Sequence, residues 1–259
     1  MEYIDTHCHL NDDQLYPDRE GAVERAKKNG CLAFFNAADS FSSFGRIFSL
    51  AKEFPGFCYP VIGIHPEYAS LPEEEFEKAL QAIEENKKNI KAIGEIGLDY
   101  HYSKDPEIKE KQKDRFIRQI RLAKKLSLPI VIHSRDADQD CYDILKEELP
   151  DKADIHCYGQ SYEMLKNYLR LPIQLKIGIG GVVTFKNSRV LKEVVEKAPL
   201  SVLLTETDSP YLSPVPNRGK RNEPSYIPFV LKEIALLRKE EEEETAKAIL
   251  KNGEDFYGL

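Results

Sequence analysis

Short apolar runs alternate with amphipathic segments along the whole chain. Several of the apolar runs are continuous, which is typical of parallel strands that are buried on both faces. The segments between them place apolar residues at the spacing of one helix face. The apolar runs predict eight strands, at residues 3–7, 32–38, 59–65, 90–99, 129–134, 154–158, 173–180 and 202–208.

Amphipathic helices are predicted between these strands and at the end of the chain. The alternation of strand and helix favours an α/β fold with a parallel sheet, and the count of eight strands favours closure into a (β/α)8 TIM barrel. An open doubly wound sheet is the structural alternative. No linker-like segment interrupts the pattern, so residues 1–259 are interpreted as a single barrel domain. The clearest helical segments are residues 20–29, 73–86, 109–126, 162–169, 228–237 and 244–251.

The composition places the chain among ordinary globular enzymes. Its 259 residues are close to the size of one barrel, and 41% hydrophobic with 31% charged residues excludes a disordered chain. No apolar stretch approaches the roughly 20 residues of a membrane span, and the acidic start lacks the apolar run of a signal peptide. The five scattered cysteines do not suggest a disulfide framework. We therefore expect a cytoplasmic protein with reduced thiols and no membrane association.

The net charge of −7 bears on the kind of partner. Proteins that coat long nucleic acids are usually basic, so broad and tight binding of a duplex is not expected. An enzyme that holds one strand end with a local basic patch remains compatible with this balance. The sequence leaves the oligomeric state open, and a monomer is the working expectation.

Histidines and carboxylates interrupt the predicted strands near their C-terminal ends, where barrel enzymes carry their active sites. His7 and His9 are two residues apart on an extended chain, so their side chains leave from the same face. Four imidazoles and two carboxylates suit transition-metal or mixed nitrogen and oxygen coordination. We therefore predict a metal site, whose candidate ligands are His7, His9, Glu95, His133, His156 and Asp208.

A carboxylate has two oxygens and can bridge two ions, and this leads us to predict a binuclear site centred on Glu95. A single histidine at a strand end is more often a hydrogen-bonded structural residue, but that alternative does not explain a set spread over five strands. The ligation suits Zn or Mn, and Mg is a further possibility for a phosphodiesterase. One divalent ion is assigned to His7, His9, Glu95 and Asp208, and the other to Glu95, His133 and His156.

Two further features are candidates for substrate binding. His65 ends the third predicted strand, where it could contact substrate or simply satisfy a turn. A basic loop at residues 217–222 follows Asp208 directly and contains Arg218, Lys220 and Arg221. Basic loops are often only solvated, but this position next to a metal ligand favours a role in holding an anion.

The chain resembles the TatD family of metal-dependent deoxyribonucleases, within the amidohydrolase superfamily. The similarity runs over essentially the whole chain and implies an amidohydrolase-like barrel with two divalent ions on the ligands named above. It also implies hydrolysis of DNA phosphodiester bonds. The motifs that carry it are IDTHCHL at 4–10, GIHP at 63–66, GEIGLDY at 94–100, PIVIHSR at 129–135, IHCY at 155–158, VTFKN at 183–187, LTETDSPYL at 204–212 and RGKRNEP at 218–224.

Two positions depart from the family pattern. Asn217 stands where the family usually has a histidine before the Arg-Gly pair. Gln160 lies in the run YGQS at 158–161, where the family usually has Phe-Ser-Gly-Ser. Both departures concern the expected substrate side and not the metal ligands, so they put the substrate preference in doubt.

The expected reaction is exonuclease-like removal of nucleotides from single-stranded DNA, and the resemblance favours the 3′ end. Asp208 is expected to orient the attacking water and accept its proton, while Glu95 bridges the ions. The basic loop would hold flanking phosphates, with His65 as an added contact. A hydrolase of a small amide, ester or phosphoester with the same ligands is the alternative, and a non-catalytic scaffold protein is a third hypothesis that the complete ligand set disfavours.

Overall fold

Eight parallel strands pair in the order in which they occur along the chain. The computed structural model describes all 259 residues. Strands in a doubly wound sheet would change order at a switch point, so this consecutive order excludes that alternative and confirms the predicted (β/α)8 barrel. The strands are β1 Tyr3–Cys8, β2 Cys31–Ala37, β3 Cys58–Ile62, β4 Ala92–Asp99, β5 Ile130–Arg135, β6 Lys152–Ile155, β7 Gln174–Ile179 and β8 Leu203–Thr205.

The barrel closes between β1 and the chain that follows β8. The Asp208 N–H donates to the His7 carbonyl at 2.9 Å, and the His9 N–H donates to the Ser209 carbonyl at 2.8 Å. These bonds continue the parallel pairing beyond the short last strand. They also bring the first and last predicted metal ligands to one place on the barrel rim.

Helices lie outside the barrel between successive strands, and none combines the length and apolarity that a membrane crossing requires. Buried aliphatic residues on the outer faces of the strands pack against them in one large core. The first of the two terminal helices has nearly its predicted bounds, whereas the second extends six residues beyond its predicted end. The helices are α1 Arg19–Lys28, α2 Phe44–Glu53, α3 Glu73–Glu85, α4 Pro106–Leu126, α5 Asp138–Glu148, α6 Tyr162–Tyr168, α7 Arg189–Lys197, α8 Ile227–Arg238 and α9 Glu242–Tyr257.

The end of α9 covers the N-terminal end of the barrel. Phe256 and Tyr257 join a small core of interior side chains from the strands, and the Tyr257 ring lies 4.2 Å from the Phe35 ring between centroids. The Lys152 ammonium, at the start of β6, donates to the Phe256 carbonyl at 2.7 Å. Because this end is filled, access to the barrel interior is from the C-terminal end of the strands.

Several strands are shorter than the sequence predicts. The eighth strand ends at Thr205 and not at residue 208, and the sixth ends at Ile155 and not at residue 158. Asp208 and Cys157 have positive φ angles, so the backbone leaves the extended conformation at these positions. The chain remains largely buried for a few residues after both points, so burial does not mark the strand end.

Candidate metal centre and active site

All six predicted metal ligands lie at the C-terminal side of the barrel. His7 and His133 lie within strands, and Glu95 lies inside β4, four residues before its end. His9 and His156 follow directly after their strands, and Asp208 lies three residues after β8 ends at Thr205. Strand register thus brings together side chains that are up to 201 residues apart in the sequence.

The first donor group surrounds one oxygen of Glu95. The Nε2 atoms of His7 and His9 are 3.1 Å apart, and they lie 3.4 and 3.8 Å from Glu95 Oε2. Asp208 Oδ1 completes the group at 3.9 Å from His7 Nε2 and 3.5 Å from His9 Nε2. These are the four side chains that the sequence assigns to one ion.

The second donor group surrounds the other oxygen of the same carboxylate. Glu95 Oε1 lies 2.7 Å from His133 Nδ1 and 2.5 Å from His156 Nε2. The two nitrogens are 3.3 Å apart. Each oxygen of Glu95 therefore faces a different pair of imidazoles, which is the arrangement expected of a bridging carboxylate.

The donor set fits divalent ions in both spacing and chemistry. Ligand atoms bound about 2.0–2.2 Å from a shared ion lie roughly 3–3.5 Å from one another, close to the separations in the first group. Three groups of three residues have ligand atoms within 4.8 Å of one another, and each group includes histidine and a carboxylate.

The protonation equilibria show how strongly the cluster attracts positive charge. Burial, together with the charge of His156, lowers the pKa of His7 to about 4. Burial also acts against protonation of His9, but the hydrogen bond and charge of Asp208 outweigh it and raise the pKa of His9 to about 9. Burial disfavours ionised Glu95, yet the surrounding imidazoles, first His156 and then His65, hold its pKa well below its usual range. A divalent ion must therefore displace protons when it binds.

The ring orientations of two ligands are set by neighbouring acceptors. His9 Nδ1 lies 3.0 Å from the Ala37 carbonyl, and His133 Nε2 lies 3.0 Å from Asp99 Oδ2. Such partners orient a ligating imidazole and raise its basicity. Asp99 is not among the site residues predicted from the sequence. The signal that could have identified it is its spacing of four residues from Glu95 in one strand, which places both side chains on the same face.

A buried carboxylate beneath the first donor group joins β1 to the end of β8. Asp5 Oδ1 accepts hydrogen bonds from the backbone N–H groups of His7 at 3.2 Å and Thr207 at 2.9 Å. Its other oxygen accepts from the Thr207 hydroxyl at 2.6 Å. Asp5 is fully buried, so these bonds hold the backbone on both sides of the seam from which His7 and Asp208 project.

A cavity of about 1130 Å³ opens above the donor cluster. It is lined mainly by polar residues from the loops that follow the strands. Its acidic residues are Asp12, Asp13, Asp39, Glu67, Glu95, Asp99, Asp136, Asp138 and Asp208, whereas its cationic residues are only Arg46 and Arg135. Outside the donor cluster, the cavity wall is therefore acidic, whereas a site that binds a polyanion is expected to be basic.

His65 lies in the cavity beside the second donor group. Its Nε2 is 3.5 Å from Glu95 Oε1, and its Nδ1 accepts a hydrogen bond from the Glu67 backbone at 3.2 Å. A neutral ring held in this way carries its proton on Nε2, which faces the cluster. His65 thus both caps the turn at Pro66–Tyr68 and lines the cavity, so it has the position that each of its two predicted roles requires.

The basic loop at residues 217–222 does not line the cavity. The Arg218 guanidinium lies over the Phe185 ring, 3.7 Å from its centroid. Arg221 donates to Asp18 Oδ2 at 2.5 Å and to the Gln14 carbonyl at 3.0 Å. Lys220 is exposed. The structure therefore does not bring these three cations together with the metal ligands.

The two departures from the family pattern have different positions. The Asn217 N–H donates to the Pro214 carbonyl at 2.6 Å and its carbonyl accepts from the Lys220 N–H at 3.0 Å, as part of a turn in the basic loop. Gln160 lines the cavity, where its amide donates to the Ser134 hydroxyl at 3.0 Å. Of the two, only Gln160 is in a position to contact a molecule in the cavity.

The family described as "TatD related DNase" matches residues 4–258 of the chain. A metal-dependent hydrolase of Bacillus subtilis, YabD, whose activity is uncharacterized, is 40% identical over 258 residues, which cover 99% of each chain. YcfH of Escherichia coli, described in the same terms, is 32% identical over 97% of this chain and 94% of its own.

The crystal structure of YjjV, a TatD homologue from Escherichia coli, covers 99% of this chain and 98% of its own, with 30% identity and a TM-score of 0.91. Its similarity includes the whole barrel and not only the strands that carry the donors. Together with the family match, the relatives above and the convergent donor cluster, this similarity shows that the chain belongs to the TatD family of metal-dependent hydrolases.

Proposed function

We propose that this hydrolase cleaves phosphodiester bonds of DNA, removing nucleotides from the 3′ end of a single strand. The observation that carries the proposal is the division of four imidazoles between the two oxygens of Glu95. This arrangement supports two divalent ions, Zn, Mn or Mg. Two-metal sites of this kind suit in-line displacement at phosphorus.

The residues named above would hold the ions in two sets that share Glu95. His7, His9 and Asp208 would form one set, and His133 and His156 the other. When bound, such ions lower the pKa of a coordinated water and neutralise charge on a phosphate. A single general base contributes only about 10²–10⁴-fold to a rate, far less than phosphodiester hydrolysis requires.

Asp208 is the residue that we assign to proton transfer. Its side chain is 16% exposed, whereas that of Glu95 is 5% exposed, so Asp208 is the ligand carboxylate that faces the cavity more openly. Burial would raise its pKa, but the hydrogen bond from His9 and the nearby imidazoles hold the pKa below its usual value. The carboxylate is therefore ionised at neutral pH and can accept a proton from an attacking water.

The shape of the cavity supports a strand end as the substrate. Its volume of about 1130 Å³ slightly exceeds the roughly 300–1,000 Å³ that is typical of pockets for small ligands. A single strand can enter such a pocket without breaking base pairs, whereas a duplex end must first open. His65 would contact the substrate from the side of the second donor group.

A second candidate function is hydrolysis of a small amide, ester or phosphoester. The acidic wall of the cavity favours this candidate, because its carboxylates repel the flanking phosphates of a long polyanion. The same donor cluster would serve a carbonyl or phosphorus centre. The two candidates differ in whether the enzyme must recognise more than the reacting group.

A time course with a 5′-labelled single-stranded oligonucleotide tests the proposal. Chelated protein is supplied with Zn, Mn or Mg separately, and a matched duplex is the comparison substrate. A ladder that shortens from the 3′ end, absent in excess chelator, is the expected result. Intact DNA with every ion, together with turnover of a small ester or amide, would replace the nuclease by the second candidate.

A further inference from the structure

The cavity mouth carries an exposed aromatic ring beside an arginine. Tyr102 lines the cavity and is 68% exposed, the second most exposed large hydrophobic residue in the chain. The Arg135 guanidinium lies 5.0 Å from the centre of the Tyr102 ring, and its Nη1 donates to the Tyr102 hydroxyl at 3.2 Å. We infer that Tyr102 and Arg135 form a nucleotide subsite, in which a base stacks on the ring and a phosphate binds the guanidinium.

This inference rests on the proposed nuclease function and specifies how that site recognises its substrate. Arg135 differs from the other cavity arginine, Arg46, in its availability. Arg46 is paired with Asp13 at 2.7 Å, whereas Arg135 has no carboxylate within ion-pair distance. Its remaining N–H groups are therefore free to bind an anion, and a guanidinium binds phosphate oxygens in bidentate fashion.

The subsite is connected to the metal centre through Asp99. One oxygen of Asp99 lies 3.0 Å from His133 Nε2. The other accepts hydrogen bonds from the backbone N–H groups of His101 at 2.8 Å and Tyr102 at 3.4 Å. Arg135 is two residues after His133 on the same strand. Both parts of the subsite are thus held at a set position relative to a metal ligand.

Aromatic stacking resolves the conflict between an acidic cavity and a polyanionic substrate. Every base has a flat π-face, so stacking binds a strand without requiring many phosphate contacts. A subsite with one ring and one free guanidinium matches one base and one phosphate. A small amide or ester would have no use for this pair, because it offers neither group outside the reacting centre.

The inference predicts a defect that depends on the presence of a base. With holoenzyme and single-stranded oligonucleotides, Tyr102→Ala should lower kcat/KM by about 5- to 140-fold, mainly through KM, as expected for loss of one stacked base. Tyr102→Phe should remain within about threefold of wild type, because the ring is retained. The same comparison is made on oligonucleotides that carry an abasic residue at each of the three positions nearest the 3′ end.

On the abasic substrate that weakens wild-type cleavage most, Tyr102→Ala should cause no further loss. Phe229→Ala is the matched control, since Phe229 is an exposed aromatic residue on α8 that does not line the cavity. Equal losses on normal and abasic substrates, or no loss with Tyr102→Ala, would overturn the subsite while leaving the nuclease function in place. If wild-type enzyme cleaves neither substrate with any ion, the proposed function itself fails and the subsite fails with it.

Discussion

The donor cluster at the strand ends and the basic loop after β8 are both prominent in the sequence, yet the fold brings only the donor residues together at one site. The four imidazoles of the donor cluster surround Glu95, with ring nitrogens 2.5–3.8 Å from its carboxylate oxygens. In the basic loop, Arg221 pairs with Asp18 and Arg218 lies over the Phe185 ring, while Lys220 is exposed. The positions of the donor residues follow from the strands that carry them. The positions of the loop residues depend on contacts with distant parts of the chain.

The physical difference lies in what constrains each group. A side chain on a parallel strand can point only to one face of the sheet or the other, and the C-terminal ends of all the strands lie at the same end of the barrel. A lysine or arginine in a loop has a long flexible side chain and binds whichever acid the fold brings near. A cluster of charges in sequence is therefore weaker evidence for a site than a set of donors at strand ends.

The largest expected effect comes from removing the shared carboxylate. Glu95→Ala should reduce hydrolysis by several orders of magnitude, because both donor groups lose a ligand. Metal content measured on purified protein should fall as well. Glu67→Ala is the matched control, since Glu67 is an acid of the same cavity that no donor group includes. Full activity of Glu95→Ala, or of wild type in excess chelator, would contradict the metal site.

A smaller loss is expected when the proposed base is changed. Asp208→Asn preserves the shape of the side chain but cannot accept a proton at neutral pH, so kcat should fall by about 10²–10⁴-fold. DNA binding, measured by fluorescence anisotropy, should survive. A kcat near that of wild type would show that another group accepts the proton.

Asp99 is expected to act through His133. Asp99→Asn keeps the size of the side chain but weakens the orientation of the His133 ring, and losses of about 10–100-fold in metal affinity or activity are typical of such partners. Metal titration with an activity readout measures both quantities. Unchanged metal affinity and activity would show that the Asp99–His133 contact does not support the site.

The next prediction compares the two basic groups directly. Arg135→Ala should flatten the dependence of log(kcat/KM) on log salt by about 0.7, the value for one phosphate contact on a single strand. Arg218→Ala and Lys220→Ala should change this slope less, because neither residue lines the cavity. If the loop variants flatten the slope as much as Arg135→Ala does, the loop holds phosphates as the sequence predicts.

The smallest effect is expected on stability. Arg221→Ala removes a partly exposed pair with Asp18, which should cost about 1 kcal/mol or less. The hydrogen bonds of Arg221 and then Arg25 lower the pKa of Asp18, so the pair contributes above the unfolded-state pKa and is lost as pH falls through the lower folded-state value. The difference in Tm between variant and wild type should therefore shrink progressively as the pH falls below about 4. A difference that stays constant as the pH falls below this value would have another origin.

Parts of the site were beyond the reach of sequence reasoning for identifiable reasons. Tyr102 and Arg135 lie in or next to family motifs, but nothing local shows that their side chains meet at a cavity mouth. The acidic residues of the wall lie in or after six different strands, whose shared location depends on the closed barrel. Strand ends were misplaced where the chain stays buried beyond the last paired residue of the strand, as at Glu206 and Thr207.

Local pattern was sufficient to predict the barrel class and to select six side chains that the fold brings together at one end of the barrel. Side-chain alternation and the spacing of apolar residues depend on only a few neighbouring residues, so they can be read directly from the sequence. The roles of Asp99 and Arg221 needed the folded molecule. Asp99 meets His133 across two strands, and Arg221 meets Asp18 at a separation of 203 residues. Contacts of this kind arise only when the barrel closes, because closure sets which distant loops become neighbours.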